Sequence, residues 1–306
     1  MIIDLPDTTT AAVTKALVRL RDEGGAVALG RVLTLVIDAD GGDVEPAVAA
    51  ANDASREHPC RVIVLARDTT RTTASLDAQI RVGGDAGASE VVVLRASGEI
   101  LAHSDTLVMP LLLPDAPIVL WWPFEVPDRP ADHPIGAMAQ RRITDTLACA
   151  DPAASLVRLR SGYTAGDTDL AWTRLTRWRG LLAAALDQPP HEKVTRAVVS
   201  GHHTHPSVVL LAAWLAHALR CPVEIVRQRD VQGITKVVLE RASGNVVIDR
   251  PDGRVALLDQ PGQPERRTAM PMRELHECLA EELRRLDPDE VYGEVLHDGL
   301  SRIGAA

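Results

Sequence analysis

The chain predicts an α/β fold of two lobes with mixed sheets, and three features carry that prediction. β-rich runs alternate with helical patterns through the first third and again after residue 190, as expected for parallel strands joined by crossovers. Closely spaced short strands then follow, so the second lobe should also carry an antiparallel meander and finish with an amphipathic helix. At 306 residues the chain has reached the size at which one core stops growing and chains split.

In order along the chain, run 11–23 sets Val13, Leu17 and Leu20 at helical spacing, and Gly24-Gly25 ends it. Val32-Leu-Thr-Leu-Val-Ile-Asp38 reads as a strand, 44–57 as an Ala-rich helix closed by His58-Pro59, and 61–67 as a strand parallel to the first. Runs 75–82 and 89–95 add strands, 100–113 holds a helix broken at Pro110, and 117–122 is a strand ending in Trp121 and Trp122. Pro123, Pro127, Pro130 and Pro134 then remove backbone donors and bias their predecessors to extended geometry, which makes this segment a long ordered loop or a linker. Residues 135–146 return to the first lobe. The turn-rich Ser161-Gly-Tyr-Thr-Ala-Gly-Asp-Thr168 offers Thr168 as a helix N-cap and marks the boundary, giving lobes 1–165 and 166–306.

In the second lobe, 169–186 reads as one helix with Trp172, Leu175, Trp178 and Leu182 on one side, stopped before Pro189-Pro190, and 193–200 reads as a strand. Run 208–219 is nearly all apolar, enters through Pro206 and precedes the strand 223–226, so it should be a crossover packed on a sheet. Turns at Ser243-Gly-Asn245, Pro251-Asp-Gly253 and Pro261-Gly262 divide the meander of 233–267. Met272, Leu275, Leu279, Leu283 and Leu286 then line one face of the closing helix.

The 33 Lys and Arg against 42 Asp and Glu leave a net charge of −9, with no basic run. Binding to nucleic acid or acidic membrane through counterion release is therefore not expected. Cys60, Cys149, Cys221 and Cys278 lie far apart, which fits buried thiols in a reduced cytoplasm better than disulfides or a metal site. The start is acidic and the longest apolar stretch is short, so neither a signal peptide nor a membrane span is expected.

Nucleotide sites need a glycine-rich turn feeding a helix, and neither G-x-G-x-x-G nor G-x-x-x-x-G-K-[ST] occurs; Gly83-Gly84-Asp-Ala-Gly87 lacks the Lys and leads into a strand. G-x-S-x-G and H-E-x-x-H are also missing, so no cofactor, metal or catalytic residue is assigned. The histidine-dense Ser200-Gly-His202-His203-Thr-His205 falls at a strand's carboxyl end and a helix mouth, where α/β sheets bind ligands. Ser200, His202, His203 and His205 are ligand-binding candidates, for an anion or sugar phosphate rather than a metal, because adjacent histidines diverge and no carboxylate is near.

Six of the eight aromatic residues, Trp121, Trp122, Phe124, Tyr163, Trp172 and Trp178, fall between 121 and 178, accompanied by Arg129, Arg141, Arg142, Arg174, Arg177 and Arg179. Trp and Arg are enriched at interface hot spots. Neighbours on a strand point to opposite faces, so Trp121 and Trp122 cannot enter one core together, and one is expected outside it. Core packing, a partner surface and a sugar-phosphate pocket all remain open on these residues.

Three stretches carry a resemblance: Pro110-Leu-Leu-Leu-Pro-Asp-Ala-Pro-Ile-Val-Leu-Trp-Trp-Pro123, Ala139-Gln-Arg-Arg-Ile-Thr-Asp145 and Gly166-Asp-Thr-Asp-Leu-Ala-Trp-Thr-Arg-Leu-Thr-Arg-Trp-Arg179. The chain resembles the glucose-6-phosphate dehydrogenase assembly protein family, OpcA, over most of its length. The resemblance implies a non-catalytic partner and allosteric activator that binds that dehydrogenase and promotes its active oligomer. Such a protein feeds the oxidative pentose phosphate pathway and NADPH supply. Trp121, Trp122, Arg141, Arg142, Trp172, Arg174, Trp178 and Arg179 are carried over as partner-binding candidates. Redox control through cysteines, which the family shows in photosynthetic relatives, is not expected where no two cysteines lie close in sequence. The alternative is a sugar-phosphate-binding protein or enzyme working at the 200–206 mouth, and a sugar-phosphate effector is compatible with both.

Overall fold

A computed structural model describes residues 1–23, 32–40, 42–82 and 90–304. The helix stop at Gly24-Gly25, the turn at 83–87 and Ser89 lie outside these residues. The chain forms two compact units: Met1–Ala150 with Gly162–Thr168 and Leu275–Pro288, and Asp151–Ser161 with Asp169–Glu274 and Asp289–Ala306.

The first unit runs through β1 (Ile2–Leu5), α1 (Thr10–Glu23), β2 (Leu33–Asp40), α2 (Glu45–Ala54), β3 (Cys60–Asp68), β4 (Ser75–Arg81), β5 (Glu90–Ser97), α3 (Ser104–Val108), β6 (Ile118–Trp122) and β7 (Arg141–Thr144). After α4 (Pro152–Gly162), β8 (Asp167–Asp169) completes a sheet ordered β1-β4-β5-β3-β2-β6-β7-β8. Strands β5, β3, β2, β6 and β7 are parallel, as the strand-helix-strand pattern predicts, while β4 and β1 extend the edge antiparallel.

Seven of the eight residues of β2 are buried in an unbroken row, the mark of a strand covered on both faces. That double cover corrects the expectation for the tryptophans. They do point to opposite faces, but Trp121 is 0% and Trp122 1% exposed. Trp122 joins a core with Val13, Leu17, Val36, Ile63 and Leu120. The proline-crowded segment is an ordered loop of the first unit with short turns at Pro130–Asp132 and Gly136–Met138. A Cβ on Gly136 would lie 1.9 Å from the Pro130 carbonyl oxygen. Gly136→Ala should therefore cost about 1–3 kcal/mol, read as a lower denaturation midpoint.

In the second unit the expected helix 169–186 is broken into α5 (Leu170–Thr173) and α6 (Thr176–Leu186). Between them the Leu175 N–H turns to the Trp172 carbonyl three residues back, a 3-10 bond that ends the first segment. The N-cap is Asp169 rather than Thr168: its carboxylate accepts the Ala171 N–H at 2.8 Å, whereas Thr168 is buried in β8.

Strand β9 (Arg196–His202), helix α7 (Pro206–Leu219) and the parallel strand β10 (Val223–Gln228) form the expected crossover. Strands β11 (Ile234–Glu240), β12 (Val246–Asp249), β13 (Val255–Asp259) and β14 (Arg266–Ala269) form the meander, giving the order β10-β9-β11-β12-β13-β14. Alternation is clean here: Ala197, Val199, Val237, Leu239, Val246 and Ile248 are buried, while Val198, Lys236, Val238, Val247 and Asp249 are half-buried.

The predicted amphipathic helix is α8 (Leu275–Arg284), but it packs on α2 in the first unit instead of closing the second lobe. Ion pairs from Glu282 to Arg141 at 2.5 Å and from Arg284 to Glu57 at 3.1 Å hold it there. The second unit ends instead with α9 (Glu290–Glu294), a π-turn at Val295–Gly299 and α10 (Leu300–Arg302), which pack on α7. A Cβ on Gly299 would meet the Ala213 carbonyl oxygen at 2.7 Å.

Candidate functional site

The parallel strands of the first unit reverse their order of addition between β2 and β6, the switch point at which such sheets bind ligands. A buried polar network occupies it. Asp38, at 0% exposure, accepts the Arg67 Nε–H at 2.7 Å and the Trp122 Nε1–H at 3.2 Å, and the His133 Nε2 lies 3.5 Å away. Arg67 also pairs with Glu125, and His133 sets its ring edge-on to Trp122 at 5.4 Å. Burial pushes the His133 pKa down; Asp38 opposes that shift and Arg67 adds to it.

Trp122 is thus tied to Asp38, whereas the buried Nε1 of Trp121 has no hydrogen-bond partner among the described residues. Trp122→Phe leaves that Asp38 oxygen with only the His133 ring at 3.5 Å and should cost about 1–3 kcal/mol, while Trp121→Phe removes an orphaned donor and should cost less. Chemical denaturation of the two variants side by side checks that order.

A dinucleotide would place its phosphates on the turn from β2 into α2, and the residues present do not fit one. That turn carries Asp40 and Asp43, with Glu45 in the helix's first turn, and Asp43 itself accepts the Glu45 N–H at 3.0 Å. Carboxylates already hold the positive end of the helix and repel phosphate.

The motif Ala139 to Asp145 is bonded internally throughout. The Gln140 side-chain oxygen accepts the Ile118 N–H at 2.6 Å, and Asp145 caps the following turn through Leu147. Arg141 donates to Glu282 at 2.5 Å and to the Asp287 carbonyl at 2.8 Å. Arg142 donates to Asp167 at 2.5 Å and to the Ala139 and Ala165 carbonyls, with the Gln140 carbonyl and this guanidinium crowding Gly166. Arg141 and Arg142 are 3% and 6% exposed, so neither they nor Trp121 and Trp122 present a free contact surface, which corrects the expectation that one tryptophan would be exposed.

Trp172, Arg174, Trp178 and Arg179 belong to the second unit. Trp172 donates its indole N–H to Asp289 at 2.8 Å, meets the Tyr292 ring at 5.7 Å and carries the Arg179 guanidinium 3.8 Å over its face. The other Asp289 oxygen caps α9 through the Tyr292 N–H at 3.0 Å. Trp178 lies under Arg250 at 5.1 Å, and Arg250 donates to the Ile234 and Met270 carbonyls. Both tryptophans are buried; Arg174 and Arg179 are half-buried, and Phe124 is 40% exposed. Asp38, Arg67 and Asp289 are not marked in the sequence, because partners 29 to 117 residues apart leave no local spacing, and His133 meets Trp122 across a loop with no repeat to mark the pair.

The histidine mouth forms where expected, between β9 and α7. Gly201 is required there, since a Cβ would lie 2.5 Å from the Gly233 carbonyl oxygen. His205 is the N-cap of α7, its Nδ1 accepting the Ser207 N–H at 3.3 Å. The His202 and His203 rings do not diverge as expected but lie tilted at 44° with centroids 4.5 Å apart, and His202 Nδ1 meets the Thr204 hydroxyl at 3.2 Å. Ser200 is buried, with its carbonyl accepting the Thr235 hydroxyl. Among the described residues no group of three or more His, Cys, Asp or Glu side chains is arranged to hold a metal, and all four cysteines are buried thiols. No helix among them is long and apolar enough to cross a membrane.

Fold and site define a two-unit α/β protein whose conspicuous Trp and Arg side chains brace its own units. Residues 51–161 match the N-terminal domain, and residues 165–296 the C-terminal domain, of a family described as a glucose-6-phosphate dehydrogenase subunit. The chain belongs to this family, OpcA. A relative from Nostoc punctiforme, named OpcA and for the OxPP cycle, is 26% identical over 203 residues, covering 61% of this chain and 44% of the relative. A like-named protein of Synechococcus elongatus is 28% identical over 187 residues, covering 55% and 41%. The matches thus span less than half the length of these relatives.

Among solved structures, KijD10, a 3-ketoreductase from Actinomadura kijaniata, aligns over 86% of this chain and 94% of its own with a TM-score of 0.47 and 9% identity. An oxidoreductase from Sinorhizobium meliloti gives 89%, 96%, 0.47 and 9%. At those scores the likeness carries no functional argument.

Proposed function

We propose that the chain is a non-catalytic, cytoplasmic partner of glucose-6-phosphate dehydrogenase that promotes the enzyme's active oligomer, in support of the oxidative pentose phosphate pathway. The match of both halves of the chain to a family described as a subunit of that enzyme carries this reading. The mechanism is a population shift: a protein that binds the active assembly better than the inactive one stabilises it by that difference in affinity, with no part in the chemistry. Buried Trp121, Trp122, Trp172, Trp178, Arg141 and Arg142 then act by fixing the shape of the units. The half-buried Arg174 and Arg179 and the exposed Phe124 meet the partner.

The test is the activity and oligomer mass of the cognate dehydrogenase, alone and with this chain titrated in. A rise in rate that saturates with a larger complex is expected; no complex and no change in rate overturns the reading. Phe124→Ala should weaken the complex roughly tenfold or more, as loss of an aromatic anchor does, with thermal melting unchanged.

A further inference from the structure

The six-stranded sheet of the second unit has one face under α7 and one that looks away from it. A Cβ on Gly201 would meet the Val208 side chain of α7 at 2.7 Å, so Gly201, Val199 and Ala197 face that helix and the residues between them on β9 face the other way. On this outer face Val198 stands beside Val238 and Val238 beside Val247, one row across β9, β11 and β12. The next row sets Lys236 beside Asp249, with Val226 of the edge strand β10 at 38% exposure. A solvated face of an antiparallel sheet is expected to be polar. Here three half-buried valines run through its middle, the pattern of a surface that meets another.

Charge decides the kind of occupant. At −9 the chain repels a copy of itself over most of its surface. On the outer face, by contrast, Arg196, Lys236 and Arg267 stand against Glu224, Glu240, Asp249 and Asp259, which leaves it close to neutral. Most of these charges are matched within the face: Arg196 pairs with both Glu224 and Glu240, and Lys236 with Asp249 at 3.6 Å. No surplus of positive charge draws an acidic polymer to it, and no surplus of negative charge repels a second copy from it.

The order of the central residues is also self-complementary. Two sheets stacked face to face keep their strands within about 30° of each other. A two-fold axis between the faces, along the strands and midway between β11 and β12, exchanges those two strands. Lys236 of each copy then lies over Asp249 of the other, and Val238 of each over Val247 of the other, each contact occurring twice as an isologous interface demands. We propose that the outer face of this sheet binds a second copy of the chain, as a two-fold dimer centred on β11 and β12. The proposal concerns the chain alone and does not rest on the dehydrogenase reading.

Sedimentation equilibrium of the full chain across the micromolar range tests it, with a shift from the mass of one chain to that of two expected as concentration rises. Lys236→Asp sets Asp over Asp between the copies and Asp249→Lys sets Lys over Lys, so each variant alone should weaken the dimer about tenfold or more. Mixed in equal amounts, the two variants oppose Asp to Lys at both contacts and should associate where neither does by itself. Thermal melting of either variant should change little, since the pair is 43% and 39% exposed and contributes little to stability. A monomer at every concentration overturns the proposal, and gives the face to the dehydrogenase if the two variants weaken that complex instead. A dimer indifferent to both variants, or a mixture that fails to associate, overturns the face or its two-fold order.

Discussion

Arg141→Ala is expected to destabilise the protein by about 3–5 kcal/mol, the cost of leaving one member of a buried ion pair behind. The side chains of Arg141 and Glu282 are 4% and 7% exposed and 2.5 Å apart. The second anchor of Arg141, the Asp287 carbonyl, lies just beyond α8, so truncation also frees that helix from β7. Replacing both members, Arg141→Met with Glu282→Leu, also removes the buried carboxylate that has lost its Arg141 partner and should recover part of the loss, which an additive pair would not do. Guanidinium denaturation at unchanged m reads both effects. A shift below about 1 kcal/mol for Arg141→Ala, with activation of the dehydrogenase abolished, would instead make Arg141 a contact residue and refute the bracing role argued from its burial.

The same arginine shows where the sequence was legible and where it was not. Periodicity and turn residues located the parallel pair β2 and β3, the crossover of β9, α7 and β10, and the meander, because those signals are local. Mutual distance in sequence hid the rest. Arg141 and Glu282 are 141 residues apart, and nothing in either neighbourhood announces the other, so α8 was expected in the wrong unit. The split at Leu175 has no Pro or Gly to signal it, and the short β1 and β8 carry too few residues to show alternation. Clustering of Trp and Arg was visible, but whether such residues face a partner or a core depends on what covers each strand face, which only the assembled sheet decides.

His205 should make the second unit acid-sensitive in a window that can be stated in advance. Burial, with Arg174, His202 and Arg250 adding positive charge around it, holds its pKa at about 4, against about 6.5 for an unfolded chain. Below pH 6.5 the unfolded state therefore takes up the proton first, so stability falls as pH falls and the loss is complete once the folded state also protonates near pH 4. Roughly 2.5 pKa units correspond to about 3 kcal/mol between those limits. The geometry explains the resistance: Nδ1 must stay unprotonated to accept the Ser207 N–H that opens α7. Asparagine can keep that cap without titrating. The stability difference between the parent chain and His205→Asn should therefore be flat above pH 7 and move in favour of the variant by about 3 kcal/mol as pH drops to 4. Carboxylates and His133 titrate in both chains and cancel in the comparison. Parallel curves across the whole range would show that His205 does not titrate as its burial requires. A neutral, capping His205 also lacks the positive charge with which a phosphate would be held at pH 7.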